Sequence, residues 1–155
     1  MYTFKKNERL GNFRLRSLLF SKGRHFFQHP FRIVYLCLPG KDIPEIFKHQ
    51  QVFPQSGVFH YPAKCLIGVS GRQVKKAVSR NRIKRLVKEA YRKNKSQFYS
   101  FLEEKDAKCL LAFMFTANKE MEYDDIERSL IRSLQKLRQE IGSNGLDNVQ
   151  TLTQN

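Results

Sequence analysis

Hydrophobic positions along the chain alternate between a helical and an extended period, and each change predicts an element. Residues 5–21 (KKNERLGNFRLRSLLFS) carry Leu15, Leu18, Leu19 and Phe20 as the apolar contacts of a short helix that closes near Gly23. HFF (25–27) and FRIVYLCL (31–38) are aromatic and β-branched runs bounded by Pro30 and by Pro39-Gly40, and they predict two strands. Residues 39–62 hold four prolines and no sustained period, the mark of a surface loop insertion. KCLIGVS (64–70) is almost continuously apolar, as in a strand covered on both faces. A helix is predicted over 74–94, a second helical stretch in SQFYSFLEEK (96–105), and a buried strand in AKCLLAFMF (107–115). Asp124 and Glu127 form an Asp variant of a capping box, followed by a stripe of Ile126, Leu130, Ile131, Leu134 and Leu137 that ends at Gly142. The order helix, strands, helix, strand, helix predicts a two-layer α+β domain over residues 1–141, with 142–155 as a flexible polar tail.

Composition narrows the class. A chain of 155 residues with 41% hydrophobic content and thirteen Phe can bury one domain core and is not disordered. No apolar run approaches the roughly 18–20 residues that span a bilayer, and MYTFKKNERL lacks the apolar core of a secretory signal, so a cytoplasmic protein with no membrane partner is expected. Cys37, Cys65 and Cys109 sit in apolar runs without any CxxC, which fits free buried thiols. His25 and His29 are spaced i,i+4, but RHFFQHPF reads as a strand approach, so surface histidines are the better reading than a metal site.

Charge changes the picture more. The net charge is +15, which calls for a polyanionic partner. KKAVSRNRIKRLVKEAYR (75–92) places eight Lys or Arg against one Glu, or +7 of that total, in about an eighth of the chain. On a helix, Ile83, Leu86, Val87, Ala90 and Tyr91 share one side. Asn81, Lys84, Arg85, Lys88 and Arg92 share the other, with successive cations roughly 5 Å apart, a spacing suited to nucleic-acid phosphates. Arg80 projects toward the apolar side, while Val74, Ala77 and Val78 fall on or beside the basic one. Either the helix begins later than 74, or its first turns lie under another segment. A membrane-surface helix would need its apolar face free for lipid, yet that face is required to pack on the strands. A merely solvated face leaves the excess charge unexplained, since Glu89 is the strip's one acid.

The same stretch resembles the signature of the bacterial ribonuclease P protein subunit, an Arg-Asn-Arg core followed by a basic amphipathic helix. FKKNERL, LFSKGRHFFQHPFRIVYL (19–36), CLIGVS, CLLAFMFTANKE and the closing helix are similar to that family as well, over roughly residues 3–140. The resemblance implies an α–β sandwich with a central, mainly antiparallel sheet, in which the basic helix joins two parallel strands by a left-handed crossover. It implies partners too: the catalytic ribonuclease P RNA, which removes the 5′ leader of precursor tRNA with Mg²⁺ bound mainly by the RNA, and that leader itself. No obligate protein partner is expected. Arg80, Asn81, Arg82, Lys84, Arg85 and Lys88 match the RNA-facing motif, with Arg92, Arg72, Lys75 and Lys76 as further candidate RNA contacts. Phe20, Phe31 and Tyr35 match aromatic positions of the leader cleft. Where many members place lysines just after the strand before the motif, this chain has Gly71-Arg72-Gln73.

No paired carboxylates, His–Cys or Ser–His arrangement stands out, so catalytic and metal-ligating side chains are not expected in the protein. The alternative class is a non-catalytic RNA-binding protein of the translation apparatus, which would share this size and charge.

Overall fold

The computed structural model describes residues 4–49, 59 and 61–147. Helix α1 (Phe13–Lys22) leads into strands β1 (Arg24–Gln28) and β2 (Phe31–Pro39), a short helix α2 (Ile43–His49) and strand β3 (Ala63–Val69). Helices α3 (Ala77–Asn94) and α4 (Ser96–Glu104), strand β4 (Ala107–Phe115) and helix α5 (Tyr123–Asn144) follow. The strands form one sheet in the order β1-β2-β4-β3. β2 is antiparallel to both β1 and β4, and β3 is parallel to β4, so α3 and α4 lie in the crossover of a βαβ unit. This is the expected α+β sandwich on a mainly antiparallel sheet.

Strand parity divides the core. Phe31, Ile33, Tyr35 and Cys37 of β2 face α3, α4 and α5, meeting Ile83, Val87, Tyr91, Phe98, Leu130 and Leu137. Val34, Leu36 and Leu38 face the other way, against Leu15, Leu18 and Leu19 of α1 and Ile43 and Ile46 of α2. Both faces of β2 and β4 are therefore largely covered, which is why their sequences run apolar without alternation.

Several expectations need correcting. The first helix begins at Phe13, not near residue 5, because Asn12 caps it: Leu15 N–H donates to Asn12 Oδ1 at 3.1 Å. The preceding chain is held instead by Glu8, fully buried, whose carboxylate accepts from Lys5 N (2.7 Å), Tyr99 Oη (2.8 Å) and Lys95 Nζ. The helix does close at Gly23, where a Cβ would lie 2.3 Å from the Leu19 carbonyl oxygen. Residues 39–62 are not loop throughout. α2 forms there, with Pro44 at its second position, where a missing N–H costs no helical bond. Residues 50–58 and 60 of that stretch lie outside the described residues. No capping box opens α5; Glu127 Oε2 accepts from Tyr123 Oη (2.9 Å) and Asn94 Nδ2 (3.1 Å) instead.

The last helix also passes Gly142 and ends at Asn144, with Gly145 at φ 75°. The chain then docks on β2: Asp147 N–H donates to the Cys37 carbonyl (2.7 Å), and Cys37 N–H donates to Asp147 Oδ2 (3.1 Å). Part of the expected tail is thus tied to β2 beyond the stretch that β1 pairs, and residues 148–155 lie outside the described residues. The three cysteines are free and buried, as expected.

Candidate nucleic-acid interface

Helix α3 spans about 27 Å at 1.5 Å per residue. Ile83, Val87, Ala90 and Tyr91 are buried beneath it. On its outward side Asn81 and Arg85 are exposed, and Lys84, Lys88 and Arg92 are half-buried. The helix starts at Ala77, which takes Val74 out of it but leaves Ala77, Val78 and Arg80 in its first turn. Val78 is then left 80% exposed among cations. Arg72, Lys75 and Lys76 are exposed on the turn that approaches the helix.

The three residues of the Arg-Asn-Arg core do not act alike. Arg80 folds back, its Nη1 donating to the carbonyls of Val74 (2.9 Å) and Lys75 (2.7 Å), and so braces the approach turn. Arg82 pairs with Glu120 of the β4–α5 turn at 2.9 Å, an acid that helix geometry alone could not anticipate. Asn81 remains outward between them. At the far end, Arg92 lies 2.5 Å from Glu89, and its hydrogen bond holds the Glu89 carboxyl below the usual carboxylate range.

The aromatic candidates are not brought together. Phe31 is fully buried, edge-on to Phe113 (5.7 Å) and Phe115 (6.2 Å), on the face that α3, α4 and α5 cover. Tyr35 lies on that face as well. Its hydroxyl donates to Glu140 Oε2 (3.0 Å), and burial first, then Glu140, pushes its pKa up to about 12 against an opposing hydrogen bond from Asn144. Neither offers a ring face to a ligand. Phe20, 45% exposed, belongs to the opposite side, at the end of α1. A one-residue difference in strand position moves a side chain to the other face, and the strand residues open on the α1 side of the sheet are accordingly Phe27 and Arg32. Phe27 (56% exposed) pairs with Arg32 across β1 and β2, Arg32 with Met114, and Met114 with Gly68. A Cβ on Gly68 would come within 2.7 Å of Met114 Cε, so the glycine lets that thioether lie across β3. The available signal was Arg32, the one charged residue inside FRIVYLCL.

A groove of about 390 Å³ between the β1–β2 hairpin and the β4–α5 turn is lined by His29, Gln73, Thr116, Lys119 and Met121. It adjoins Glu120, the partner of Arg82. Among the described residues, no three His, Cys, Asp or Glu stand together as a metal site would need, and His25 and His29 are exposed. No described helix is long and apolar enough to cross a membrane.

Comparison with known proteins identifies the family and the fold. The family model described as Ribonuclease P matches residues 4–138. The chain is similar to the ribonuclease P protein component of two strains of Porphyromonas gingivalis, 29% identical over 130 residues that cover 84% of this chain and 82% of the relative. Its fold is similar to that of Staphylococcus aureus RNase P protein (TM-score 0.56, 19% identity, 84% of this chain and 94% of the other). It also resembles a mutant of that protein described as defective in mRNA degradation (TM-score 0.60, 20% identity, 86% and 90%).

Proposed function

The chain belongs to the ribonuclease P protein family, and from that premise we propose that it binds the catalytic RNA through the outward face of α3 and the 5′ leader of precursor tRNA along the exposed Phe20, Phe27 and Arg32 on the other side of the sheet. Its function is that of the protein component of an RNA–protein endoribonuclease in tRNA processing. The alternative of a translation-apparatus protein finds no support in these matches. The observation that carries the reading is the strip of Asn81, Lys84, Arg85 and Lys88, continued by Lys75 and Lys76 before the helix. Such a strip neutralises phosphates and releases counterions, which favours association irrespective of RNA sequence. On the other side, Phe20 and Phe27 offer rings on which unpaired leader bases can stack, with Arg32 of β2, opposite Phe27, for a phosphate.

The chemistry is proposed to reside in the RNA. Mg²⁺ would be held there, and the protein's part is to lessen phosphate repulsion. A cytoplasmic location goes with this role. The test is cleavage of precursor tRNA at low Mg²⁺ and near-physiological salt, with and without the large RNA. Stimulation of the RNA is expected. Cleavage by the protein alone, or no stimulation, would overturn the assignment. Lys84→Ala and Lys88→Ala should each flatten the salt dependence of RNA affinity by about one phosphate contact.

A further inference from the structure

We propose that the depression where α3, α4 and α5 meet is a second RNA contact that takes a single unstacked nucleotide of the same RNA partner. The proposal rests on the function just described. The cavity measures about 340 Å³, within the range of small-molecule sites of roughly 300–1,000 Å³. Ile131 opens onto the cavity, with the buried Phe98 and Leu134 behind it as an apolar floor, and Lys93, Gln97 and Arg138 stand around it. Arg138 Nη1 donates to Gln97 Oε1 at 3.1 Å, so guanidinium and amide act as one polar wall. Lys93 stands 5.7 Å from the Tyr123 ring and 3.7 Å from Glu89, an exposed and therefore weak ion pair. Among the described residues, no acid lines the cavity.

This combination suits a nucleotide better than other ligands. A base has flat apolar faces for the floor and polar edges for the Gln97 amide, while the phosphates on either side of it need cations at the rim. An apolar metabolite would leave Lys93 and Arg138 without purpose, and an acidic peptide would leave the apolar floor unfilled. Position supports the same occupant. Lys93 follows Arg92, the last cation of the α3 strip, and lies about 18 Å along the helix axis from Asn81. An RNA backbone tracking that strip arrives at the cavity mouth.

Two measurements on the full chain decide the matter. In the first, the Ile131 δ-methyl resonance is followed while adenosine or uridine 5′-monophosphate is added, with Ile46 of α2 as the remote control. In the second, the salt dependence of affinity for the ribonuclease P RNA transcript is compared for wild type, Lys93→Gln, Arg138→Gln and Lys84→Ala. The expected result is a saturable shift at Ile131 alone, with Lys93→Gln and Arg138→Gln each flattening the slope by about one phosphate contact. If Lys84→Ala flattens the slope and the two cavity variants do not, the cavity is not an RNA contact, while the function stands. If none of the three changes it, the function assignment fails as well. An Ile131 methyl that ignores nucleotides, or answers only to a glutamate-rich peptide, overturns the nucleotide assignment.

Discussion

Replacing Arg80 separates bracing from RNA contact. Its Nη1 makes two hydrogen bonds, 2.9 and 2.7 Å, to carbonyls in the turn that leads into α3. Sheltered bonds from a charged donor are worth about 1.5–3 kcal/mol each. Arg80 is only half-buried, so water replaces part of that, and Arg80→Ala is expected to cost about 2 kcal/mol in all. For a chain of this size that corresponds to a fall in Tm of about 4–8 °C. Arg80→Lys should recover only part of the loss, since the shorter lysine side chain does not carry its nitrogen to where Nη1 meets both carbonyls. Urea and thermal melts give the stability, and RNA binding at several salt concentrations gives the slope. Arg80→Ala should weaken RNA binding while leaving the slope near wild type, in contrast to Lys84→Ala. A variant with unchanged Tm and a slope flattened by about one contact would refute the reasoning and make Arg80 a phosphate ligand.

Glu8→Gln removes the buried carboxylate facing Lys95 and should cost about 3–5 kcal/mol in urea melts. Adding Lys95→Met should restore most of this, and a single-variant loss below about 1 kcal/mol would count against the pair. Phe27→Ala should weaken binding of precursor tRNA relative to leaderless tRNA by about 1–3 kcal/mol without shifting Tm. Phe31→Ala should instead destabilise the fold by about 3–5 kcal/mol, and the reverse pattern would restore Phe31 to the cleft. Tyr35 and Tyr123 are each pushed up to about 12, mainly by burial. Their phenols stay protonated in the fold while those of the unfolded chain ionise near the ordinary value of 10.0. Stability from these groups is therefore complete below that value and is lost as pH rises toward 12. Tyrosinate absorbance that rose equally early in folded and urea-unfolded protein would contradict this.

Local pattern revealed those parts of the molecule that local pattern controls. The period of Ile83, Val87, Ala90 and Tyr91 identified the buried side of α3, and the apolar runs at 31–38 and 107–115 identified the inner strands. What stayed hidden depends on partners distant in the chain. Arg82 meets an acid 38 residues away, and Lys95 meets one 87 residues away. The burial of Phe31 and Tyr35 was not legible because β2 is covered on both sides, so its sequence does not reveal which parity faces the three-helix layer. α2 was hidden because four prolines dominated the composition of 39–62, although one of them stands where a helix tolerates it.

The strand order has a consequence for how the chain comes together during synthesis. β4 lies between β2 and β3, so neither the early hairpin nor β3 acquires its neighbour until residues 107–115 have emerged. By then all of α3 has been made, and its cations crowd together with no sheet to anchor the apolar side. Pairing β2 with β4 closes separations of 68 to 84 residues, the kind of non-local step that slows folding. A polyanion that reaches the nascent chain in that interval offsets the crowding before the sheet has closed.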